Sequence, residues 1–167
     1  MSDLVRVAVD AMGGDYAPVE PVKGAVEAVN ADERVKVQLV GQVDVIEKEL
    51  QKYTYPKERV EIVPATEIIE TGEPPVNAIR HKKDSSIVVG MKKVRCGEAD
   101  AFVSSGSTGA VLVGGQTIVG RIKGVERPPL APLIPTKDGV SLLIDCGANV
   151  DACLLYTSPS PRDPKTS

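Results

Sequence analysis

The feature that most constrains the fold is a regular alternation of short aliphatic runs with longer, helix-like segments. The aliphatic runs are VRVAVD (5–10), VKVQLVG (35–41), RVEIVPA (59–65), ADAFVS (99–104) and GVSLLIDCG (139–147). Strands that alternate with helices indicate βαβ units, which build a parallel sheet covered by helices. Continuous aliphatic strands also indicate a sheet that is buried on both faces. The sequence therefore predicts an α/β fold.

The segments between these runs have helical patterns and recognisable helix starts. Pro21 lies in the first turn of an amphipathic segment over residues 19–30, and a second helix is predicted over residues 44–53. Residues 75–98 are mainly helical with a break near Asp84. An apolar helix then follows the SGSTGA motif and ends at about Gly120.

Composition excludes several classes of protein. Aromatic residues make up 3% of the chain and Trp is absent, so aliphatic side chains must fill the core. The net charge of −3 gives no basic footprint for nucleic acid. No apolar run reaches the roughly 18–20 residues of a membrane span, and the N-terminus lacks the pattern of a signal peptide. The three cysteines have neither metal-site nor disulfide-framework spacing, which predicts a reducing cytoplasm.

Three polar motifs follow strand ends, which is where open α/β sheets bind ligands. In the first, DAMGGD (10–15), Asp10 closes a strand, and Gly13 and Gly14 permit close backbone approach to a ligand. The alternative is a tight turn that needs glycine for its conformation. The third motif, DCGANVD (145–151), would place a carboxylate and an amide over the same crevice.

The second motif, SSGSTGA (104–110), lies between a strand and a helix and is rich in hydroxyl groups. Hydroxyls beside a helix N-terminus form an anion site, for which phosphate is the commonest occupant. The motif lacks the Lys of a Walker loop, the G-x-G-x-x-G of a dinucleotide site and the G-x-S-x-G of a nucleophile elbow. The alternative is an N-cap built with small residues for close packing.

The remaining candidate residues, and the motifs that are absent, indicate a site that binds phosphate and stabilises an oxyanion. His81, the single histidine, is a solvated helix residue, whereas Arg127 in GVERPPLAPLIP (124–135) could bind phosphate in a bidentate contact. Prolines exclude that stretch from a regularly paired central strand. The chain has no Ser-His-Asp set, HExxH or CxxC, so covalent and metal catalysis are not indicated. A site of backbone amides, hydroxyls, Asn and Arg holds phosphate and stabilises an oxyanion.

Five motifs, in order, closely resemble one family. They are VDAMGGDYAP, PPVNAIRHKKDSS, FVSSGSTGA, GVERPPLA and IDCGANVDA. The chain is thereby identified as a member of the bacterial PlsX family, the acyl-(acyl-carrier-protein):phosphate acyltransferases of phospholipid synthesis. The resemblance runs from Val5 to Ala152 and covers about the N-terminal half of the family's length. Many members have S-A-G-N-T-G-A where this chain has SSGSTGA, a difference that keeps the site small and polar.

The resemblance implies a fold, a reaction and partners. The fold would be a Rossmann-like three-layer parallel sheet, similar to phosphate acetyltransferases and to isocitrate/isopropylmalate dehydrogenases. The reaction would move a fatty acyl group from the acyl-carrier-protein thioester to inorganic phosphate, without a cofactor or a metal. Members are homodimers that associate peripherally with the membrane, where a glycerol-3-phosphate acyltransferase uses the acyl phosphate.

The same resemblance suggests roles for residues at matching motif positions. Asp145 would orient its neighbours, and Asn149, near Gly147, would donate to phosphate or to the oxyanion. Arg127 would clamp phosphate, and Asp10, Gly13 and Gly14 would shape the adjacent crevice. Phosphate itself would bind at Ser104, Ser107, Thr108 and Gly109.

Two alternatives stay open at this point. The related fold could serve formation of acetyl phosphate from coenzyme A, which a comparison of thiol carriers and acyl-chain preference would separate. The chain could also be a non-catalytic phosphate-binding or regulatory module, which would bind phosphate without releasing thiol from acyl-carrier protein.

Residues 153–167 differ in character from residues 1–152. Ser, Thr, Pro and charged residues replace the aliphatic pattern, and CLLYTSPSPRD (153–163) can be encoded without mismatch by a transposase-type sequencing adaptor. We therefore expect a translated adaptor that is disordered, the alternative being a genuine Pro/Ser-rich terminus. Residues 1–152 would then be the N-terminal part of an acyltransferase domain, truncated, inactive alone and prone to aggregate through an exposed sheet edge.

Overall fold

The structure is a computed structural model that describes residues 4–125, 128–137 and 139–143. The chain divides into two compact units, Met1–Gly120 and Arg121–Ser167, and each is described by itself. None of the helices within the described ranges is both long enough and apolar enough to cross a bilayer.

Within its described residues, the first unit contains four strands and five helices, with one or two helices after each strand. The strands are β1 (Val5–Asp10), β2 (Val35–Gly41), β3 (Val60–Pro64) and β4 (Ala101–Val103). The helices are α1 (Val19–Ala31), α2 (Val43–Leu50), α3 (Pro75–His81), α4 (Ser86–Arg95) and α5 (Thr108–Gly114). A 3₁₀ turn (Lys57–Arg59) precedes β3, and a π-helical turn (Gly115–Val119) extends α5. The predicted α/β alternation is confirmed.

The four strands form one parallel sheet in the order β3-β2-β1-β4. β1 is central, with Val9 opposite Leu39 of β2 and Val103 of β4. All four strands run in the same direction, so their carboxyl ends meet at one edge. That edge carries the loops in which the sequence predicts a site.

Helices cover both faces of the sheet, because alternate side chains of each strand point to opposite faces. On one face, α1 and α2 pack through Val26 and Ile46 onto Val37 and Leu39 of β2. On the other face, Ala8 of β1 belongs to a second cluster that includes residues of α4. α3 and α5 pack against α4 in a third cluster. The first unit therefore has three layers, as predicted.

The break predicted near Asp84 separates α3 from α4. Pro75 occupies the first turn of α3, where a missing N–H costs no helical hydrogen bond. Asp84 lies in the connection and accepts hydrogen bonds from the backbone N–H of Thr66, at 3.0 Å, and from its hydroxyl. Ser85 then caps α4 by accepting from the N–H of Val88 at 3.4 Å. The capping serine and the Asp84 contacts account for two helices in place of one.

The second unit contains an antiparallel hairpin, β5 (Leu133–Thr136) with β6 (Gly139–Leu142). The sequence predicts a strand over residues 139–147 in the parallel sheet, but its described part pairs with β5 instead. A connection this short permits only antiparallel pairing, since parallel strands need a long crossover. Pro135 is tolerated in β5 because both strands of a two-stranded ribbon are edge strands.

An ion pair joins the start of β1 to the residue before β4. The Asp100 carboxylate accepts from the Arg6 side chain at 2.8 and 3.1 Å and from the Arg6 backbone N–H at 2.8 Å. These hydrogen bonds lower the pKa of Asp100, the side-chain bonds most, with the Arg6 charge contributing less. A carboxyl with a depressed pKa stabilises the fold above its unfolded pKa, and this contribution is lost as the pH falls through the folded value.

We therefore expect Asp100→Asn to lower the urea midpoint of the complete protein at neutral pH. The difference from the wild type should shrink as the pH falls below about 4, the ordinary pKa of Asp. The effect is modest because both side chains are partly solvated. Glu27→Gln, on the exposed side of α1, is the matched control. A difference that does not depend on pH would contradict the role given to this pair.

Candidate functional site

Two loops meet at the carboxyl edge of the sheet. The glycine loop (residues 11–15) follows β1, and the serine loop (residues 104–107) follows β4. β1 and β4 are paired neighbours, and the pairing of Val9 with Val103 places Asp10 and Ser104 at the next position of each chain. The topology therefore brings the first two sequence motifs together.

The Asp10 carboxylate links the glycine loop to the serine loop through hydrogen bonds. Its side chain is buried, and one carboxylate oxygen accepts from the Ser104 hydroxyl at 2.8 Å. The other oxygen accepts from the backbone N–H of Met12 at 3.1 Å, which fixes the first turn of the glycine loop. The Ser104 hydroxyl also accepts from the N–H of Gly106 at 3.0 Å. Asp10 and Ser104 thus determine the conformation of both loops.

The two glycines of the first motif are required where the loops touch. A Cβ on Gly13 would lie 2.3 Å from a carboxylate oxygen of Asp10 and 2.9 Å from the Gly106 nitrogen. Gly14 has a φ of +97°, a region that L side chains rarely adopt. The Ser105 hydroxyl donates to the Gly13 carbonyl at 2.9 Å and forms a second link between the loops. Both the turn and the close backbone approach therefore depend on glycine.

The serine loop leads directly into α5. Ser107, which is buried, caps the helix by accepting from the N–H of Ala110 at 3.3 Å. The first N–H groups of a helix lack intrahelical acceptors. Capping of Ala110 leaves the N–H groups of Thr108 and Gly109 with neither a helical nor a capping acceptor in the described part of the chain. Thr108 is exposed, so its side chain is open to solvent at the start of α5.

α3 contacts the same helix start. A Cβ on Gly109 would lie 2.6 Å from Cγ of Pro75, so the beginning of α3 lies against the first turn of α5. Gly114 packs equally tightly, with Met91 of α4 at 2.3 Å from its Cβ position. Glycine at these two positions of α5 thus permits close packing against α3 and α4.

The site has donors but little positive charge. The glycine and serine loops, with Thr108 and Gly109, contain no Lys, Arg or His. Asp10 supplies a buried carboxylate beneath them. An anion at this edge would be bound by backbone N–H groups, the Thr108 hydroxyl and the positive end of the α5 dipole.

Residues 5–156 match the family described as "Fatty acid synthesis protein". The chain belongs to this family. Membership confirms the resemblance that the five sequence motifs indicate.

Relatives within the family carry a more specific name. A protein of Alkaliphilus oremlandii named phosphate acyltransferase is 51% identical over 148 residues, covering 88% of this chain and 44% of that protein. A phosphate acyltransferase of Clostridium kluyveri is 50% identical over 145 residues, covering 87% of this chain and 43% of that protein. The chain therefore spans less than half the length of these relatives.

A solved structure shares the fold. The crystal structure of a phosphotransacetylase from Streptococcus pyogenes matches with a TM-score of 0.62 and 18% identity. The match covers 89% of this chain and 49% of that one. At this identity the likeness concerns the fold, and it supports the predicted similarity to phosphate acetyltransferases.

Several site residues predicted for this family member lie outside the described residues. They are Arg127, Asp145, Gly147 and Asn149. Their predicted roles as clamp, orienting group and donor stay predictions. The described half of the candidate site consists of Asp10, Gly13, Gly14, Ser104, Ser107, Thr108 and Gly109.

Sequence reasoning missed Pro75 and did not foresee the role of Ser105 in joining the loops. Ser105 links the loops through the Gly13 carbonyl, and Pro75 lies against the start of α5. The sequence does show Ser105 among the hydroxyls, but nothing local distinguishes a hydroxyl that joins loops from one that faces a ligand. Pro75 belongs to the PPVNAIRHKKDSS motif of the family, which is the signal that could have placed it near the site.

Proposed function

We propose that the complete protein carrying this segment transfers a fatty acyl group from an acyl-carrier-protein thioester to inorganic phosphate. The observation that carries the proposal is the open N-terminus of α5 beside the joined loops. The chain is also 51% identical, over 148 residues, to a protein named phosphate acyltransferase. Exposed N–H groups at a helix start bind phosphate. The product is acyl phosphate, which is a precursor suited to phospholipid synthesis.

The proposed reaction needs no nucleophilic side chain, because phosphate is the nucleophile. A phosphate oxygen attacks the thioester carbonyl carbon, and a tetrahedral oxyanion forms. The carbon–sulfur bond then breaks, and the carrier thiol leaves with a proton from solvent or phosphate. The protein must hold phosphate in line with the carbonyl and stabilise the oxyanion, which positioned N–H donors accomplish.

The residues divide between binding and positioning. The N–H groups of Thr108 and Gly109 and the Thr108 hydroxyl bind phosphate. The Ser107 hydroxyl accepts from the Ala110 N–H and donates its proton to phosphate. Ser104 and Asp10 are positioning residues, since each is already bonded within the loops. Arg127 and Asn149 supply the charge and the amide that the two loops lack.

The finer predictions form part of the same proposal. They are the homodimer, the peripheral contact with the membrane and its glycerol-3-phosphate acyltransferase, and the dehydrogenase-like arrangement of the complete sheet. The segment spans 44% of the Alkaliphilus relative, so the remainder supplies the rest of the acyl and carrier-protein surfaces. We accordingly propose that the 167-residue chain alone is inactive.

Residues 153–167 lie outside the described residues, and the family match ends at residue 156. Their origin in an adaptor stays a prediction. Primer-based sequencing of the source DNA across the codon for Ala152, without transposase ends, tests it. A reading frame that continues into further α/β sequence supports the prediction, and the eleven adaptor-like codons would refute it.

The reaction is tested by incubating the complete protein with long-chain acyl-carrier protein, with and without phosphate. We expect thiol release only with phosphate, and an acyl phosphate that hydroxylamine traps as a hydroxamate. Preference for short acyl-coenzyme A over acyl-carrier protein would favour the acetyltransferase alternative. Phosphate binding without thiol release would favour a regulatory module.

The place of phosphate binding is tested by Ser107→Ala combined with Thr108→Ala. We expect the KM for phosphate to rise by about tenfold or more, the equivalent of one lost charge-assisted hydrogen bond. Ser85→Ala is the matched control, because Ser85 caps α4 in the way that Ser107 caps α5. Both variants lose about 1 kcal/mol of cap energy. An unchanged KM for phosphate in the double variant would place the phosphate elsewhere.

A further inference from the structure

Basic side chains are concentrated on one short stretch of the first unit. Residues 80–95, which contain the end of α3 and all of α4, have six Lys and Arg residues and one acidic residue, Asp84. The whole chain has 20 basic and 23 acidic residues, so this stretch has the opposite sign to the remainder. α4 has three cations and no Asp or Glu, whereas α1 and α2 each contain both signs.

Four of these six cations are exposed and form no ion pair. They are named here the basic surface and are Arg80, Lys83, Lys92 and Arg95. The other two, Lys82 and Lys93, pair with Glu73 and Glu98. No described carboxylate forms an ion pair with any member of the basic surface. The surface therefore presents four charges that the described residues do not neutralise by direct contact.

Hydrogen bonds make the basic surface continuous across two helices. The Lys92 ammonium donates to the Lys83 carbonyl at 3.2 Å, which holds the last turn of α4 beside the connection from α3. Lys83 donates in turn to the Ile79 carbonyl of α3 at 3.2 Å. Arg95 follows Lys92 by three residues and lies on the same side of α4. The basic surface thus runs from the end of α3 along the last turn of α4.

The basic surface adjoins the candidate anion site through α3. This helix begins at Pro75, which lies against the Gly109 position at the start of α5. Arg80 is five residues further along α3, which is about 8 Å at the rise of an α-helix. A carrier protein presents its thioester on a flexible arm, so it must dock beside the reacting atoms and not on them. The basic surface has that position.

The side chains of α4 favour a protein partner over a membrane. Helices that bind at a bilayer surface insert an apolar face between the lipids. Ile87, Val88 and Met91 of α4 are buried in one core cluster, and Val89 and Val94 pack against another. The exposed side of α4 therefore offers charge without apolar side chains to insert. Exposed charges of one sign increase the rate and the specificity with which a protein of the opposite sign associates.

We infer that the basic surface is the docking site for an acidic face of the acyl-carrier protein. This assignment rests on the proposed function, because transfer from that carrier is what requires a docking site. Its residues recognise the carrier protein and touch neither phosphate nor the thioester. Carboxylates of the docked carrier protein would supply the ion-pair partners that Lys83 and Lys92 do not find among the described residues.

The test compares two double charge reversals in the complete protein. Lys83→Glu with Lys92→Glu reverses charge on the basic surface. Lys48→Glu with Lys57→Glu is the matched control, since it makes the same change of net charge at exposed lysines of α2 and of the turn before β3. The readout is the Kd for fluorescently labelled palmitoyl-acyl-carrier protein, measured by anisotropy. We expect the Kd to rise at least about tenfold in the first variant and less than about twofold in the control.

A substrate without the carrier protein separates docking from damage to the site. Palmitoyl-pantetheine has the reacting thioester but no protein, so the first variant should keep the wild-type kcat/KM for it with phosphate present. Loss of activity with this small thioester would mean that the substitutions distort the site, and it would overturn the inference. An unchanged Kd for the carrier protein, or an equal rise in both variants, would overturn it as well.

One further measurement distinguishes a membrane from a protein partner. Loss of binding to phosphatidylglycerol vesicles in the first variant, with an unchanged Kd for the carrier protein, would assign the basic surface to the membrane and refute the inference. The Kd is measured without acyl transfer. A wild-type protein that binds the carrier protein through this surface but releases no thiol would refute the proposed function and leave the docking site standing, so the two failures are distinguishable.

Discussion

Gly13→Ala should destabilise the protein strongly and disrupt the candidate site. The added methyl group would lie 2.3 Å from an oxygen of Asp10 and 2.9 Å from the Gly106 backbone nitrogen. Neither can move freely, because Asp10 is 1% exposed and Gly106 is bonded to Ser104. Overpacking of this kind costs about 1–3 kcal/mol, and we expect the upper end of that range.

The measurement is the urea midpoint of the complete protein, together with its KM for phosphate. Gly72→Ala is the matched control, since Gly72 lies in an exposed turn with no atom within 4 Å of its Cβ position. We expect the control to change stability by less than about 0.5 kcal/mol. Equal midpoints for the two variants would show that the loops do not approach as closely as described.

Asp10→Ala should have a comparable effect through lost hydrogen bonds. The carboxylate accepts from the Ser104 hydroxyl and from the Met12 N–H. Hydrogen bonds to a charged acceptor contribute about 1.5–3 kcal/mol each, so we expect a loss of roughly 3 kcal/mol. Asp15→Ala, in the same loop but exposed, should be nearly neutral.

A double-mutant cycle separates this linkage from general damage. Ser104→Ala removes the donor to Asp10 and the acceptor for Gly106. If the two side chains act as one unit, the combined Asp10→Ala and Ser104→Ala variant should lose at least about 0.5 kcal/mol less than the sum of the single changes. Additive losses in the urea midpoint would contradict the described contact.

The sequence was sufficient to predict the first unit. Hydrophobic periodicity located all four of its strands, and Pro21 and Pro75 each lie in the first turn of a helix. The hairpin of the second unit was not foreseen. A run such as GVSLL can pair in the parallel sheet or in an antiparallel hairpin. The length of the connection before it decides between the two, and hydrophobic periodicity does not show that.

The sequence predicted where the site lies in the fold, but not which contact each side chain makes. Asp10 and the serine motif were placed together because parallel strands end at one edge, and the structure brings them into contact. The hydroxyls were assigned to an anion, with a helix N-cap as the alternative, whereas Ser104 and Ser105 hold the loops and Ser107 caps the helix. A serine looks the same in the sequence whether its hydroxyl binds an anion or holds a loop, so only tertiary contacts distinguish these two roles.

The most direct test of the account is a crystal structure of the complete protein grown with phosphate. We predict a phosphate at the start of α5, with its oxygens about 2.7–3.2 Å from the N–H groups of Thr108 and Gly109. A well-occupied phosphate elsewhere, with the α5 N-terminus bound only to water, would contradict the central claim that these joined loops hold the nucleophile.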